Sequence, residues 1–257
     1  MIVLEQVSKH YGQHQPILQG LNLRLTEGQL TCLLGPSGCG KTTLLNLIAG
    51  FIKPTNGQVL VDGQQVTRPG PDRGVVFQDA TLFPWMTVLD NVCFGLRQQG
   101  LSRQQATDSA CDYLELVGMA DFQTALPISL SGGQRQRVAI ARVLALQPRV
   151  LLMDEPFSAL DANSRERLQD ELLRICTIRP TTVLYVTHHV DEAAFLAERV
   201  LVIGPGPDSI RADLLLEQPR PRNRNSELFN TIKATLRSEL DRLPCCINSP
   251  SGEGDQP

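Results

Sequence analysis

An α/β fold is predicted by three features of the 257-residue sequence. Compact apolar runs that suit strands alternate with segments of helical length. A glycine-rich turn joins one such run, 30–34, to the helical stretch that starts near residue 43. A fully apolar run, Val150-Leu151-Leu152-Met153, ends on two carboxylates, as a strand covered on both faces of a parallel sheet does. The expected architecture is a mixed sheet core with an antiparallel β subdomain at the start and a helical subdomain at about 79–145. All of this forms one domain over 1–240, followed by a disordered polar tail at 241–257.

In chain order, Ile2, Leu4 and Val7, then Leu18, Leu21, Leu23 and Leu25, alternate as antiparallel strands do. Segments 58–61 and 74–77 read as further strands. The pattern turns helical at 88–99 and again at 102–117, where Ser102 and Gln105 fit a capping box. Pro127 and the 129–133 stretch punctuate this section before another helix through Val138 and Leu144. A helix from about Asn163, with Glu166 at its third position, leads to a strand at 183–186; strand, helix, strand implies a right-handed crossover. A strand at 200–203, the Gly204-Pro205-Gly206-Pro207 turn, a short β region and a helix near 228–240 complete the domain.

The composition is that of a folded globular chain: 42% hydrophobic and 20% charged residues, with a formal charge of -3. Lysines and arginines are scattered, which argues against nucleic acid as a partner. No apolar run approaches the roughly 18 residues of a spanning helix, and no secretory leader is visible, so a cytoplasmic protein is expected. Seven cysteines form no CxxC pair and read as buried thiols. The adjacent Cys245-Cys246 could bind metal or take a lipid, but no partner residues lie nearby.

Gly35-Pro36-Ser37-Gly38-Cys39-Gly40-Lys41-Thr42 matches G-x-x-x-x-G-K-[ST] between a strand and a helix. The glycines let backbone N–H groups turn inward, and the following helix, entered at Thr43, points its positive end at the same place. Lys41 supplies a mobile charge for the β- and γ-phosphates of ATP, and the Thr42 hydroxyl suits Mg²⁺. Asp154 is placed to hold Mg²⁺ through water, and Glu155 to orient and deprotonate an attacking water. Without the phosphate loop, two strand-end carboxylates would be read simply as solvent-facing.

Leu130-Ser131-Gly132-Gly133-Gln134, followed by Arg135-Gln136-Arg137, resembles the signature of ATP-binding-cassette ATPases. It places Ser131 and two glycines at a helix N-terminus, a second anion site. The resemblance implies a head-to-tail homodimer in which Ser131, Gly132, Gly133 and Gln134 cap the ATP held by the opposite copy. It further implies that Tyr11 stacks on adenine, against the plainer reading of a core or surface tyrosine. Gln78 resembles the glutamine that touches Mg²⁺ and water and relays nucleotide state. Ser158-Ala159-Leu160-Asp161 resembles the loop that crosses the dimer interface, with Asp161 near the nucleotide, and a helix-capping turn is the alternative. His188 resembles the switch histidine that bonds the γ-phosphate, whereas His189 stands where many relatives have an acidic residue.

The matched motifs cover 1–203 in family order. Arg68 to Gln78, Leu82-Phe83-Pro84-Trp85 and Gly204 to Pro207 resemble the taurine, sulfonate and nitrate importer branch, nearest its taurine ATPases. That resemblance implies two integral membrane permease subunits, a solute-binding protein, and a peripheral position on the cytoplasmic face of the inner membrane. Alkanesulfonate, nitrate and a thiamine-precursor pyrimidine are the alternative solutes. Phe83 to Met86 would form a notch for a permease helix, or else Trp85 packs in the core. A DNA-repair or chromosome ATPase would need a heptad insertion or zinc cysteines between the two motifs, and neither is present. A translation-factor cassette would carry two copies and a basic linker, and a catalytically dead cassette conflicts with Lys41, Asp154, Glu155 and His188.

Overall fold

The computed structural model describes residues 1–11, 16–178, 181–206 and 209–243. Pro207, the Cys245-Cys246 pair and the tail from 244 lie outside the described residues. Strands β1 (Ile2–Lys9), β2 (Leu18–Leu25), β4 (Asn56–Val61) and β5 (Gln64–Gln65) build a four-stranded antiparallel sheet in the order β2-β1-β4-β5. The second sheet holds β3 (Leu30–Leu34), β6 (Arg73–Val76), β7 (Val150–Asp154), β8 (Thr182–Thr187), β9 (Arg199–Ile203) and β10 (Ile210–Leu215). Its order is β10-β9-β3-β8-β7-β6, parallel throughout except for the β10 edge.

The period of two along these strands divides their side chains between two cores. Leu33, Leu152, Leu184 and Val186 point to one face, where helix α1 (Lys41–Ala49) and the antiparallel sheet cover them. Cys32, Leu34, Leu151, Met153, Val183 and Tyr185 point to the other, under the remaining helices. Every residue of β7 is buried for this reason, and its uninterrupted apolar sequence follows.

Helices α2 (Val88–Gln98), α3 (Arg103–Leu116) and α4 (Gly132–Ala145) pack on one another along the second core. Two have complete capping boxes, Ser102 with Gln105 and Ser131 with Gln134, while Thr87 caps α2. Helix α5 (Ala162–Ile178) starts one residue before the expected Asn163. Its first turn is capped by Asp161, whose carboxylate accepts from Ser164 N at 2.9 Å. Strand β6 stops at Val76, not Phe77, because the Phe77 carbonyl leaves the ladder to accept from Gln136 Nε2 at 2.9 Å.

A short helix α6 (Val190–Leu196) follows β8 and was not foreseen in the sequence. The buried Arg222 holds its C-terminal end, donating to the carbonyls of Ala194, Phe195 and Ala197. Arg224 lies 3.4 Å from the Phe195 ring centroid, and helix α7 (Glu227–Asp241) packs on α6. No helix among the described residues is long and apolar enough to cross a membrane.

Candidate active site

Strand β3 delivers the chain into the Gly35–Thr42 loop at the carboxyl edge of the parallel sheet. A Cβ on Gly35 would sit 2.2 Å from the Ile203 carbonyl oxygen, so backbone crowding excludes any larger residue. Gly40, at φ 96°, is the N-cap of α1 and supplies no side chain to its first turn. The turn also lacks an acidic residue, so its N–H groups and helix dipole remain available to an anion. Lys41 is 5% exposed, and its Nζ donates to the carbonyls of Gly35 at 2.8 Å and Pro36 at 2.7 Å. These bonds compensate the burial of the ammonium group and fix it against the loop. The Cys39 thiol is buried beneath the same turn.

A cavity of about 330 Å³ opens over this loop. Ser37, Gly38, Gly40, Lys41, Thr42 and Thr43 line it from the loop, and Ile17, Gln78, Asp154 and Glu155 from three other segments. Asp154, buried at the end of β7, has its carboxyl raised above the ordinary range. Burial is the main cause, with Glu155 adding to it; a hydrogen bond with Thr42 and the charge of Lys41 oppose it. A buried carboxylate beside a threonine hydroxyl fits a hard divalent cation. Mg²⁺ there would take Thr42 and Asp154, with Gln78 within the same cavity, and would neutralise phosphate charge.

Glu155 occupies left-handed backbone, φ 44°, a conformation that costs about 1–3 kcal/mol in a non-glycine residue. Its N–H is tied to the Val186 carbonyl at 3.0 Å, and its own carbonyl accepts from the Ser158 hydroxyl at 2.9 Å. The strained backbone turns its side chain towards the end of β8, where Glu155 Oε1 lies 2.8 Å from His188 Nδ1. The His188 ring lies tilted against that of His189, with centroids 4.0 Å apart. Glu155 lines the cavity and holds the His188 imidazole beside it, although His188 itself is not part of the wall.

Several expected residues take other positions. Tyr11 is half exposed with Lys9 Nζ 5.2 Å from its ring centroid, and it does not line the cavity; Ile17 does. Asp161 caps α5 through Ser164, which also lowers its carboxyl below the usual range. Ser131, Gly132, Gly133 and Gln134 lie at the tip of α4 and contribute nothing to this cavity. There the Ser131 hydroxyl accepts from Gln134 N at 3.2 Å and Gln134 Oε1 accepts from Ser131 N at 2.8 Å. The tip is packed against the 158–161 loop, since a Cβ on Gly133 would meet Leu160 Cδ2 at 3.3 Å. Trp85 is 72% exposed, so the core-packing alternative does not hold; its ring centroid lies 5.7 Å from that of Phe83.

Sequence reading missed Gln136. It is buried on α4 and ties the signature helix to the segment that carries Gln78, and only its position after the signature could have drawn attention. Ile17 left no signal either.

An uncapped helix tip, a buried lysine and a buried aspartate under one cavity suit a phosphate chain with a divalent cation, at the carboxyl edge of an open, mainly parallel sheet. The family model for ABC transporters matches residues 18–158. The chain is 49% identical over 215 residues to the nitrate import ATP-binding protein NrtD of Synechocystis sp., covering 82% of this chain and 81% of that protein. It is 48% identical over 218 residues to the taurine import ATP-binding protein TauB of Pseudomonas syringae pv. tomato, covering 84% of each. Among solved structures, the dimeric ATP-binding cassette MJ0796 in a post-hydrolysis state with ADP and Pi superposes with a TM-score of 0.77 at 32% identity. That match covers 85% of this chain and 100% of the other. The chain belongs to the ABC transporter family and is an ATP hydrolase.

Proposed function

We propose that the chain is the ATP-hydrolysing subunit of a multi-subunit importer and works as a head-to-tail homodimer. ATP lies between the Gly35–Thr43 cradle of one copy and the Ser131 to Gln134 tip of the other. Lys41 neutralises the β- and γ-phosphates, and Thr42, Gln78 and Asp154 hold Mg²⁺. Glu155 takes a proton from the attacking water while His188 fixes the carboxylate and contacts the γ-phosphate. Tyr11 stacks on adenine, and Asp161 closes the interface beside the nucleotide. The observation that carries this reading is the 2.8 Å contact between His188 and Glu155, a residue of the cavity wall.

Glu155→Gln keeps the shape of the side chain and removes its basicity. The variant binds ATP and pairs, and hydrolysis falls by about 10² to 10⁴, as for loss of a general base. Single-turnover hydrolysis by the purified chain checks this, and undiminished turnover would remove Glu155 from the mechanism.

The membrane side of the proposal rests on the exposed Trp85, with Phe83 against it, Phe94 against Phe83, and Gln78 a few residues upstream. This is a notch for a short helix of a permease subunit, two of which would receive the dimer at the cytoplasmic face of the inner membrane. A solute-binding protein outside the membrane completes the importer. Taurine is the proposed solute, supported by kinship to TauB and the matching local sequences. Nitrate is the second reading, supported by equal kinship to NrtD. ATP turnover of the reconstituted importer, compared among taurine, alkanesulfonates, nitrate and a thiamine-precursor pyrimidine, separates them.

A further inference from the structure

The hydrolytic residues lean on a buried polar group that the mechanism does not use. Glu192, in the first turn of α6, is 4% exposed. Its Oε2 accepts from the Tyr185 hydroxyl at 2.7 Å and the Thr187 hydroxyl at 2.8 Å. Burial, reinforced by the Glu192 charge, pushes the Tyr185 phenol well up and keeps it a donor. Thr187 immediately precedes His188, and its oxygen also receives the His189 N–H at 3.0 Å. Glu192 therefore fixes the strand end that carries the switch histidine.

Its other oxygen, Oε1, is buried without a hydrogen-bond partner among the described residues. The nearest cation is Arg165 Nε at 3.8 Å, which is likewise buried and without a hydrogen bond. Arg165 belongs to the first turn of α5, and its terminal NH2 donates to the Leu160 carbonyl at 3.1 Å. Leu160 sits beside Asp161 in the loop whose first residue, Ser158, is bonded to Glu155. One guanidinium therefore faces two ways: to the loop on one side of Glu155 and to the anchor of His188 on the other. A shift of less than about 1 Å would turn the 3.8 Å ionic contact into a hydrogen bond.

We propose that Arg165 and Glu192 are a positioning pair that holds the Leu160-Asp161 turn and the Thr187-His188 strand end in register on either side of Glu155. Neither touches the nucleotide cavity. The pair acts by keeping the Glu155–His188 contact in line, and a glutamate displaced by an ångström loses much of its rate. This inference rests on Glu155 and His188 being the hydrolytic residues.

The test uses the full-length chain with Glu192→Gln, Arg165→Met, their combination, and Glu155→Gln as reference. Glu192→Gln retains an acceptor for Tyr185 and Thr187 but loses the charge that faces Arg165. Each single variant is expected to lower kcat about tenfold or more with the KM for Mg-ATP changed by less than about twofold. The double variant should be no slower than the slower single one, because the two residues act as a unit. Arg165→Lys keeps a cation beside Glu192 but cannot reach the Leu160 carbonyl at the same time, so it should also lower kcat while folding normally. A purely structural role predicts a lower Tm with kcat per folded molecule unchanged, and that result, or losses that multiply in the double variant, overturns the pair. Undiminished turnover in Glu155→Gln would instead overturn the reading beneath it, whereas an inactive Glu155→Gln beside fully active Glu192→Gln and Arg165→Lys overturns the pair alone.

Discussion

Two helices of this chain begin on glycine-rich sequence, and their first turns are finished in opposite ways. Helix α1 starts at the left-handed Gly40, with no side-chain cap and a buried lysine in its first turn. Helix α4 starts at Ser131 with both halves of a capping box closed on Gln134. The first leaves its N–H groups for an outside anion and walls them into a cavity of about 330 Å³; the second satisfies part of its own need and stands at the surface. A helix dipole exists at both ends, so what distinguishes a binding cradle from a capped tip is whether the donors are already spent. The cradle is built for a ligand, and the capped tip is stable without one.

That contrast is broken most severely at the cradle. Lys41→Ala removes the only cation on the cavity wall among the described residues. It should abolish productive ATP binding, seen as loss of nucleotide-induced thermal stabilisation. Binding that persists unchanged would show that the loop's N–H groups suffice. Ser131→Ala is a smaller change with two readable parts. Losing the cap should lower stability by about 1 kcal/mol in the absence of ATP, measured by denaturant unfolding. ATP affinity of a single chain should stay as it was, since Ser131 does not line that chain's cavity. A large fall in single-chain affinity would erase the distinction between the two tips.

The parts of the site legible in the sequence are those encoded contiguously. Gly35 to Thr42, Asp154-Glu155 and the Ser102–Gln105 capping box each place their chemistry within eight residues. The buried run of β7 announced its place in the sheet because both faces are covered. What stayed hidden depends on contacts across the fold. The start of α5 was displaced because Asp161 and Asn163 both suit a cap, and only the carboxylate's bond to Ser164 N decides between them. Helix α6, seven residues long, is too short to show a helical period. Gln136 against Phe77 and Arg165 facing Glu192 join positions 59 and 27 residues apart, and no local pattern marks either pair. Trp85 looked equally suited to core and surface, since an aromatic after a turn carries no sign of which side it faces.

The central claim is that one nucleotide is held by two copies, and mixing two crippled chains tests it most directly. Both are made in the Glu155→Gln background, one with Lys41→Ala and the other with Ser131→Ala, and pairing with ATP is followed by sedimentation. Each alone should remain a monomer; together they should pair with one ATP retained, because the intact cradle of one meets the intact tip of the other. A mixture that stays as monomeric as its parents would contradict a shared site.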